Sequence, residues 1–355
     1  MSKFDKKQFE SYKLEPENLD SIKMAINLTA YENQDLSQFV TLVKAEEKEP
    51  VAFIGDMETV GKSGSGCDPV YEEKGIANSQ KRWELGDWQI PIKICYESMA
   101  GTIAEYSMKK GTDIADLDGT DIMAVYTQKL QDAIKAMRWR MVWLGDKGAQ
   151  NVADGGKITA GVSTDLFDTC DGLWKRIFTI CQNDGKQLTS IDANKKATPE
   201  EQRDAALAEG YMTGLVDKML MDVDSRILND KDSVLVMTRS MAMALEHDLK
   251  EKYKLILPWD KVENGMNTTV YNGIKIARCS IWDRQISSFE KGTATVNLPY
   301  RAVFTNKRQL MAGSPENFVS TLDIFFDRKE RRNYIYATGK IGTQTLEDDM
   351  IHAMY

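Results

Sequence analysis

The chain has 355 residues, 42% of them apolar and 28% charged, with a formal net charge of −8. A chain of this length buries a large core in one or two domains, and the balance is that of an ordinary globular protein. The negative charge argues against a surface that grips nucleic acid everywhere, because phosphate neutralisation needs clustered Lys and Arg. The longest apolar runs, such as Val234 to Met237, are far too short to cross a bilayer, so no membrane is expected. The start, Met1-Ser2-Lys3-Phe4-Asp5, has no apolar stretch that marks export. Five cysteines (Cys67, Cys95, Cys170, Cys181, Cys279) are scattered without a CxxC, the usage of free thiols in a reducing cytoplasm.

Residues 1–50 are charged and lightly apolar. Leu19, Ile22 and Ile26 fit one face of a short helix, and Gln38 to Val43 fits a strand. The segment lacks the apolar residues for its own core and reads as an arm. Residues 51–95 read as a long hairpin, with Val51 to Ile54 going out and Trp83 to Ile94 returning. Its tip, Gly61 to Pro69, is too polar and glycine-rich to pack by itself. An exposed hairpin of this length is expected to lie on a neighbour.

Residues 97–145 read as helical. From about Thr120, apolar side chains fall at Ile122, Tyr126, Leu130, Ile134, Met137, Met141 and Leu144, one continuous helix face. Asp118 or Thr120 suits its start and Gly145 its end. About 25 residues would span roughly 38 Å at about 1.5 Å per residue, long against a mean of about 11–12 residues. Asp171 to Ile180 fits a short helix. Pro199 opens another, with Glu200 and Glu201 in its first turn and an apolar line through Leu207, Tyr211, Leu215, Met219 and Val223 or Ile227. Asp232 to Thr238 fits a buried strand, followed by a helix over about 239–252. From Leu255 onward the pattern is mostly strand and turn.

The residues offer little chemistry. Gly55-Asp56-Met57-Glu58-Thr59-Val60-Gly61-Lys62-Ser63 resembles a phosphate loop, but it has one residue too many between its glycines. It also continues into Gly64, Gly66 and Pro69 where a helix must start. An NTPase using residues 55–63 therefore stands as an alternative, and a hairpin tip is the simpler reading. Asp222 and Asp224 do not share a helix face, so a metal pair is not expected. Leu322 to Asp327 reads as a plain strand. His247 and His352 have no motif-linked nucleophile, and both are expected at the surface. Cys170 and Cys181 lack a second pair for zinc. Trp139, Trp143 and Trp174 are expected to pack, as are most of the 18 methionines. No catalytic residue, cofactor-binding residue, cofactor or metal site is expected, and the chain does not read as an enzyme.

The C-terminal third carries Tyr271-Asn272-Gly273-Ile274-Lys275-Ile276, then Ile281-Trp282-Asp283. Leu298-Pro299-Tyr300-Arg301-Ala302-Val303-Phe304-Thr305-Asn306-Lys307 follows, and then Leu310-Met311-Ala312-Gly313. These strands, each stopped by Gly or Pro, resemble the C-terminal part of tailed-phage major capsid proteins. Set after an arm, a polar-tipped hairpin and a long helix closed by Gly145-Asp146, they make nearly the whole chain resemble that family, with its Hong Kong 97-type α+β fold. The resemblance implies an N-terminal arm at 1–50 and an extended hairpin loop at 51–95. A peripheral domain would cover 96–231, including a spine helix at 120–145. An axial domain would cover 232–295, with C-terminal return strands of the peripheral domain at 296–355.

The resemblance further implies a structural subunit that self-assembles as hexamers and pentamers into an icosahedral virion shell. That shell would enclose double-stranded DNA without sequence-specific binding and be built in the cytoplasm of a host bacterium, with scaffold, portal and decoration proteins as partners. The hairpin starts by about residue 50, so a large N-terminal scaffolding domain has no place ahead of it. Candidate inter-subunit contacts are Gly61, Lys62, Ser63, Gly64, Ser65, Gly66, Lys74 and Lys81. Some members join a hairpin Lys to a neighbour's Asn. Here Lys62, Lys74 and Lys81 face Asn297, Asn306 and Asn317 as possible partners, nothing selects a pair, and solvated lysines are the simpler reading. An encapsulin-type shell, which shares the fold, is the alternative.

Overall fold

The structure is a computed structural model that describes residues 34–57, 60, 76–95, 119–149, 151–152, 158–159, 163–261, 267–291, 295–315, 318–327, 329–330 and 332–355. The expected helix around Leu19 to Ile26, the hairpin tip and residues 97–118 lie outside the described residues.

A one-turn helix α1 (Gln34–Ser37) leads into β1 (Thr41–Lys44). Strands β2 (Pro50–Met57) and β3 (Ile76–Arg82) pair as a hairpin, followed by β4 (Gly86–Cys95). The long helix α2 (Gly119–Leu144) precedes the short strands β5 (Asn151–Val152) and β6 (Ile158–Thr159) and helix α3 (Leu173–Asn183). After β7 (Leu188–Thr189) come α4 (Pro199–Ala206), α5 (Tyr211–Asp222) and α6 (Ser225–Asn229). Then follow β8 (Ser233–Thr238), α7 (Arg239–Tyr253), β9 (Asp260–Lys261), β10 (Asn267–Tyr271), β11 (Ile274–Cys279) and α8 (Ser280–Phe289). The chain closes with β12 (Ala302–Asn306), β13 (Leu310–Ser314), β14 (Thr321–Asp327), β15 (Arg332–Thr345) and β16 (Ile351–Met354).

Two sheets organise these elements. A five-stranded sheet runs β1-β13-β15-β14, with β4 also paired to β15. A seven-stranded sheet runs β7-β16-β12-β8-β11-β10-β9. Segment 296–355 therefore feeds both: β13, β14 and β15 enter the first, while in the second β12 pairs with β8 and β16 pairs with β12. The fold mixes helix and sheet throughout.

The long helix is present as expected, with 26 residues. Its heptad-like line is buried at Leu130, Ile134, Met137, Met141 and Leu144, and Trp139, Val142 and Trp143 are buried too, so its last two turns are enclosed on several sides. Trp143 meets Trp282 at 4.6 Å between ring centres and Trp174 at 6.0 Å, with Trp174 and Trp282 5.0 Å apart. This indole cluster joins α2, α3 and α8, and edge-to-face arrangements within it are favoured by the ring quadrupoles. Within the segment read as an arm, Leu36, Phe39, Val40 and Ala45 are buried, and Phe39 stacks edge-on to Trp139 at 5.7 Å.

A second core lies under the seven-stranded sheet and is rich in methionine: Met212, Met219, Met237, Met241, Met350 and Met354 are all buried. Asn272 (φ 48°) and Gly273 (φ 78°) both take left-handed backbone angles between β10 and β11. That is the two-residue hairpin turn an Asn-Gly pair favours, and it sets the register Tyr271↔Ile274.

Three expectations are corrected. The returning hairpin strand is β3, whereas Gly86–Cys95 pairs with β15 in the five-stranded sheet. The alternation at Trp83 to Ile94 marked a strand truly, but not its partner, because periodicity carries no pairing information. The helix opened by Pro199 is broken into three, since Gly210 (φ 73°) and the extended Val223 and Asp224 interrupt it. Finally, Ser280–Phe289 is a helix within the region expected to be strand and turn; Trp282 and Ile286, four apart, face the core.

Candidate functional site

Two surfaces stand out, the hairpin with its base and the outer edge of the seven-stranded sheet. At the base, the ladder continues below the hairpin strands: Lys48 N–H donates to Trp83 O at 2.9 Å and Trp83 N–H to Glu49 O at 3.0 Å. Trp83 is buried and packs close against Gly313, where a β-carbon would come within 2.8 Å of the indole. The Gln344 amide donates to Arg82 O at 2.9 Å. The Lys81 ammonium donates to Thr345 O (3.0 Å), Thr345 Oγ1 (2.9 Å) and Asp348 Oδ1 (2.5 Å). Above this base, β2 and β3 pair with each other and with no other described strand, and their register shifts between Ile54 and Met57. Such a bulge bends and twists a ribbon.

Beside the base, the end of α2 is tied to α3. Lys175 bridges Asp146 at 2.5 Å and Asp171 at 2.7 Å. Burial opposes the Lys175 charge, but its two carboxylate partners outweigh it and hold the pKa above the ordinary lysine value. Arg176 reaches Thr343 Oγ1 at 3.1 Å and Gln344 Oε1 at 3.2 Å, so the same stretch of β15 holds the hairpin base and α3.

At the far sheet edge, β9 pairs with Asn267 and Thr268 of β10 and leaves Val270 beyond its end. Val270 is 62% exposed. Helix α7 is closed by Lys254, whose backbone is left-handed (φ 52°). Leu255 and Ile256, 46% and 70% exposed, follow at once. Three large apolar side chains, two on the segment that leads toward β9 and one near the end of β10, thus face solvent.

Of the candidate contacts, Gly61, Lys62, Ser63, Gly64, Ser65, Gly66 and Lys74 lie outside the described residues. Lys81 is engaged by its own chain as described above. Gly55 to Met57 lie in β2, with Met57 opposite Ile76. A phosphate loop instead leaves a strand and enters a helix N-terminus. Asn306 donates to Asp230 Oδ2 at 2.7 Å and is buried, Asn297 contacts Glu290 at 3.4 Å, and Asn317 is outside the described residues. Asp224 caps α6 and pairs with Arg226 at 3.0 Å, while Asp222 is exposed.

One expectation about histidine is corrected. His247 is exposed, but His352 is fully buried in β16, with Nε2 2.8 Å from Thr189 Oγ1. Burial lowers its pKa to about 4. The signal was in Ile351-His352-Ala353-Met354, an apolar run in which a histidine is carried inside. Cys170, Cys181 and Cys279 are free and buried, and burial pushes Cys170 and Cys279 up to about 12 and Cys181 to about 11. Thiols so protonated are poor nucleophiles. Among the described residues, no group of three His, Cys, Asp or Glu side chains is placed to hold a metal ion, and no helix is long and apolar enough to cross a membrane.

No family model and no curated protein matches the chain. Solved structures similar to it span most of its length. A chain from the satellite phage P4 procapsid structure, which includes the size determination (Sid) protein, is 12% identical, with 94% of this chain and 98% of that one covered and a TM-score of 0.48. A chain from the capsid of an empty GTA particle is 12% identical, with coverages of 92% and 89% and a TM-score of 0.48. One from the holo-SrpI encapsulin complex of Synechococcus elongatus PCC 7942 is 8% identical, with coverages of 91% and 87% and a TM-score of 0.47. At these identities and scores the likenesses concern overall shape alone.

Proposed function

We propose that the chain is a shell subunit, the major capsid protein of a tailed bacteriophage, whose function is mechanical. The observation that carries this reading is the ribbon β2–β3, which pairs with no third described strand. An isolated two-stranded hairpin is marginal in water and gains stability from a surface to lie on. A neighbouring copy supplies that surface. The exposed Leu255, Ile256 and Val270 offer a second contact, suited to copies gathered around a common axis. Interfaces of this permanent kind commonly bury about 2,000–5,000 Å².

In this reading the segment from β2 to β3, 50–82, is the extended hairpin, Gly119–Leu144 the spine and the seven-stranded sheet the axial body, with hexamers and pentamers closing an icosahedral shell. Double-stranded DNA is enclosed rather than gripped, consistent with 54 acidic against 46 basic residues. Scaffold, portal and decoration proteins are its partners in a virion assembled in the host cytoplasm, and the chain performs no catalysis.

Sedimentation velocity of the purified chain over a range of concentrations tests the reading. It predicts discrete five- or six-chain species or larger closed particles. A monomer at every concentration contradicts it, and ATP hydrolysis lost in Lys62→Ala would replace it with the nucleotide-hydrolysing alternative. Particles that carry an enzyme instead of nucleic acid would favour the encapsulin-type shell.

A further inference from the structure

The Lys81 ammonium is saturated. Its three N–H donors meet Thr345 O, Thr345 Oγ1 and Asp348 Oδ1. Thr345 Oγ1 in turn donates to Asp348 Oδ1 at 3.0 Å, closing a small network around one cation. A surface lysine ordinarily meets one carboxylate loosely and contributes little. Lys81 is half-buried and tied at three points, one of them a backbone carbonyl.

The position of each partner gives the network its meaning. Lys81 sits in β3 opposite Val51, on the ribbon itself and one residue above the point where Arg82 O is fixed by Gln344. Thr345 ends β15, the strand that holds the five-stranded sheet together, and Asp348 lies in the short turn before β16 of the seven-stranded sheet. Residues 345–350 are thus the connector between the two sheets. That connector is itself held: Leu346 N–H and Glu347 N–H donate to Gln309 O and Oε1, both at 3.0 Å, and Arg226 of α6 pairs with Glu347 at 2.6 Å.

We propose that Lys81 and Asp348 form a latch that fixes the direction in which the hairpin leaves the body, by fastening the ribbon to the connector between the sheets. Lys81 is a positioning residue. A two-stranded ribbon twists readily about its base, and the latch adds a second fixed point to the tie that the Gln344 amide makes to Arg82 O. The latch stands on the geometry of the single chain; its use in reaching a neighbouring copy rests on the shell reading above.

Hydrogen exchange on the dissociated full-length chain tests it, comparing wild type with Lys81→Met, Asp348→Asn and the double charge swap Lys81→Asp/Asp348→Lys. Loss of the latch is expected to speed amide exchange in 50–57 and 76–82 on the order of tenfold, as for a locally opened unit losing a charge-assisted network. Exchange in β8 and β12 is expected to stay at the wild-type rate, and the double swap to slow the hairpin again relative to either single change. Asp348→Asn alters a single polar group and keeps the test valid if Lys81→Met folds poorly. Hairpin exchange unchanged in Asp348→Asn, or a double swap no slower than the single variants, would overturn the proposal. Sedimentation reports separately on the shell: a chain that shows this exchange pattern yet never assembles keeps the latch and loses the shell reading.

Discussion

Gly172 donates its N–H to the carbonyl of Gly145 across 2.8 Å, and the crossing leaves no room for a β-carbon on either residue. A β-carbon on Gly172 would lie 2.6 Å from Gly145 N, and one on Gly145 would lie 2.4 Å from Cys170 O. These contacts are with backbone, which cannot swing aside. The crossing seals the end of the long helix against the start of α3, beside the Lys175 bridge.

Gly172→Ala is therefore expected to destabilise the chain by about 1–3 kcal/mol, the usual cost of forcing a methyl group into a filled site. Gly185, where a β-carbon would meet nothing within 4 Å, serves as the control. Urea midpoints at unchanged slope report the difference. Equal midpoints for Gly172→Ala and Gly185→Ala would contradict the crossing.

His352 gives a pH dependence whose sign follows from its burial. Its pKa falls from 6.5 to about 4 in the folded chain, so between those values the unfolded chain binds a proton that the folded chain does not. Stability is fully present above pH 6.5 and declines as pH falls toward 4, by about 3 kcal/mol in all at 1.36 kcal/mol per unit. In His352→Gln this part of the decline is expected to disappear. A wild-type midpoint that is flat between pH 6.5 and 4 would contradict it.

Arg301 is fully buried against Glu290 and also donates to Leu298 O and Asn297 O, both at 2.8 Å. Removing one member leaves a buried charge alone, so Arg301→Met is expected to cost about 3–5 kcal/mol. Adding Glu290→Leu removes that stranded charge. The double variant is expected to be less destabilised than the sum of the two single changes in a denaturant-monitored mutant cycle, and additivity would contradict a coupled pair.

The strongest local signals were legible in the sequence. The apolar line from Leu130 to Leu144 is a helix because its spacing suits no other period. Asn272-Gly273 is a turn because few other pairs accept two left-handed residues. Pairing was not legible. Gly86–Cys95 alternates as a strand, yet its partner Arg332–Thr345 lies far along the chain. The latch was hidden for the same reason: Lys81 reads as one of several hairpin lysines until the fold brings Asp348 to it. Nor does an apolar line show whether one helix or three carries it, as Gly210 demonstrates.

The exposed edge separates folding from assembly. Ile256→Lys and Val270→Asp place charge where side chains already meet solvent, so each is expected to leave the unfolding free energy within about 0.5 kcal/mol of wild type. Each is also expected to reduce or abolish higher-order species in sedimentation. Normal assembly in both variants would remove this edge from the contact surface.

Electron cryo-microscopy of particles formed by the purified chain shows whether its copies build a shell and where the hairpin lies in it. Closed shells are expected, with the ribbon over 50–57 and 76–82 lying on an adjacent copy. Concentrated chain that forms no shell, or a shell in which that ribbon folds back on its own subunit, would contradict it.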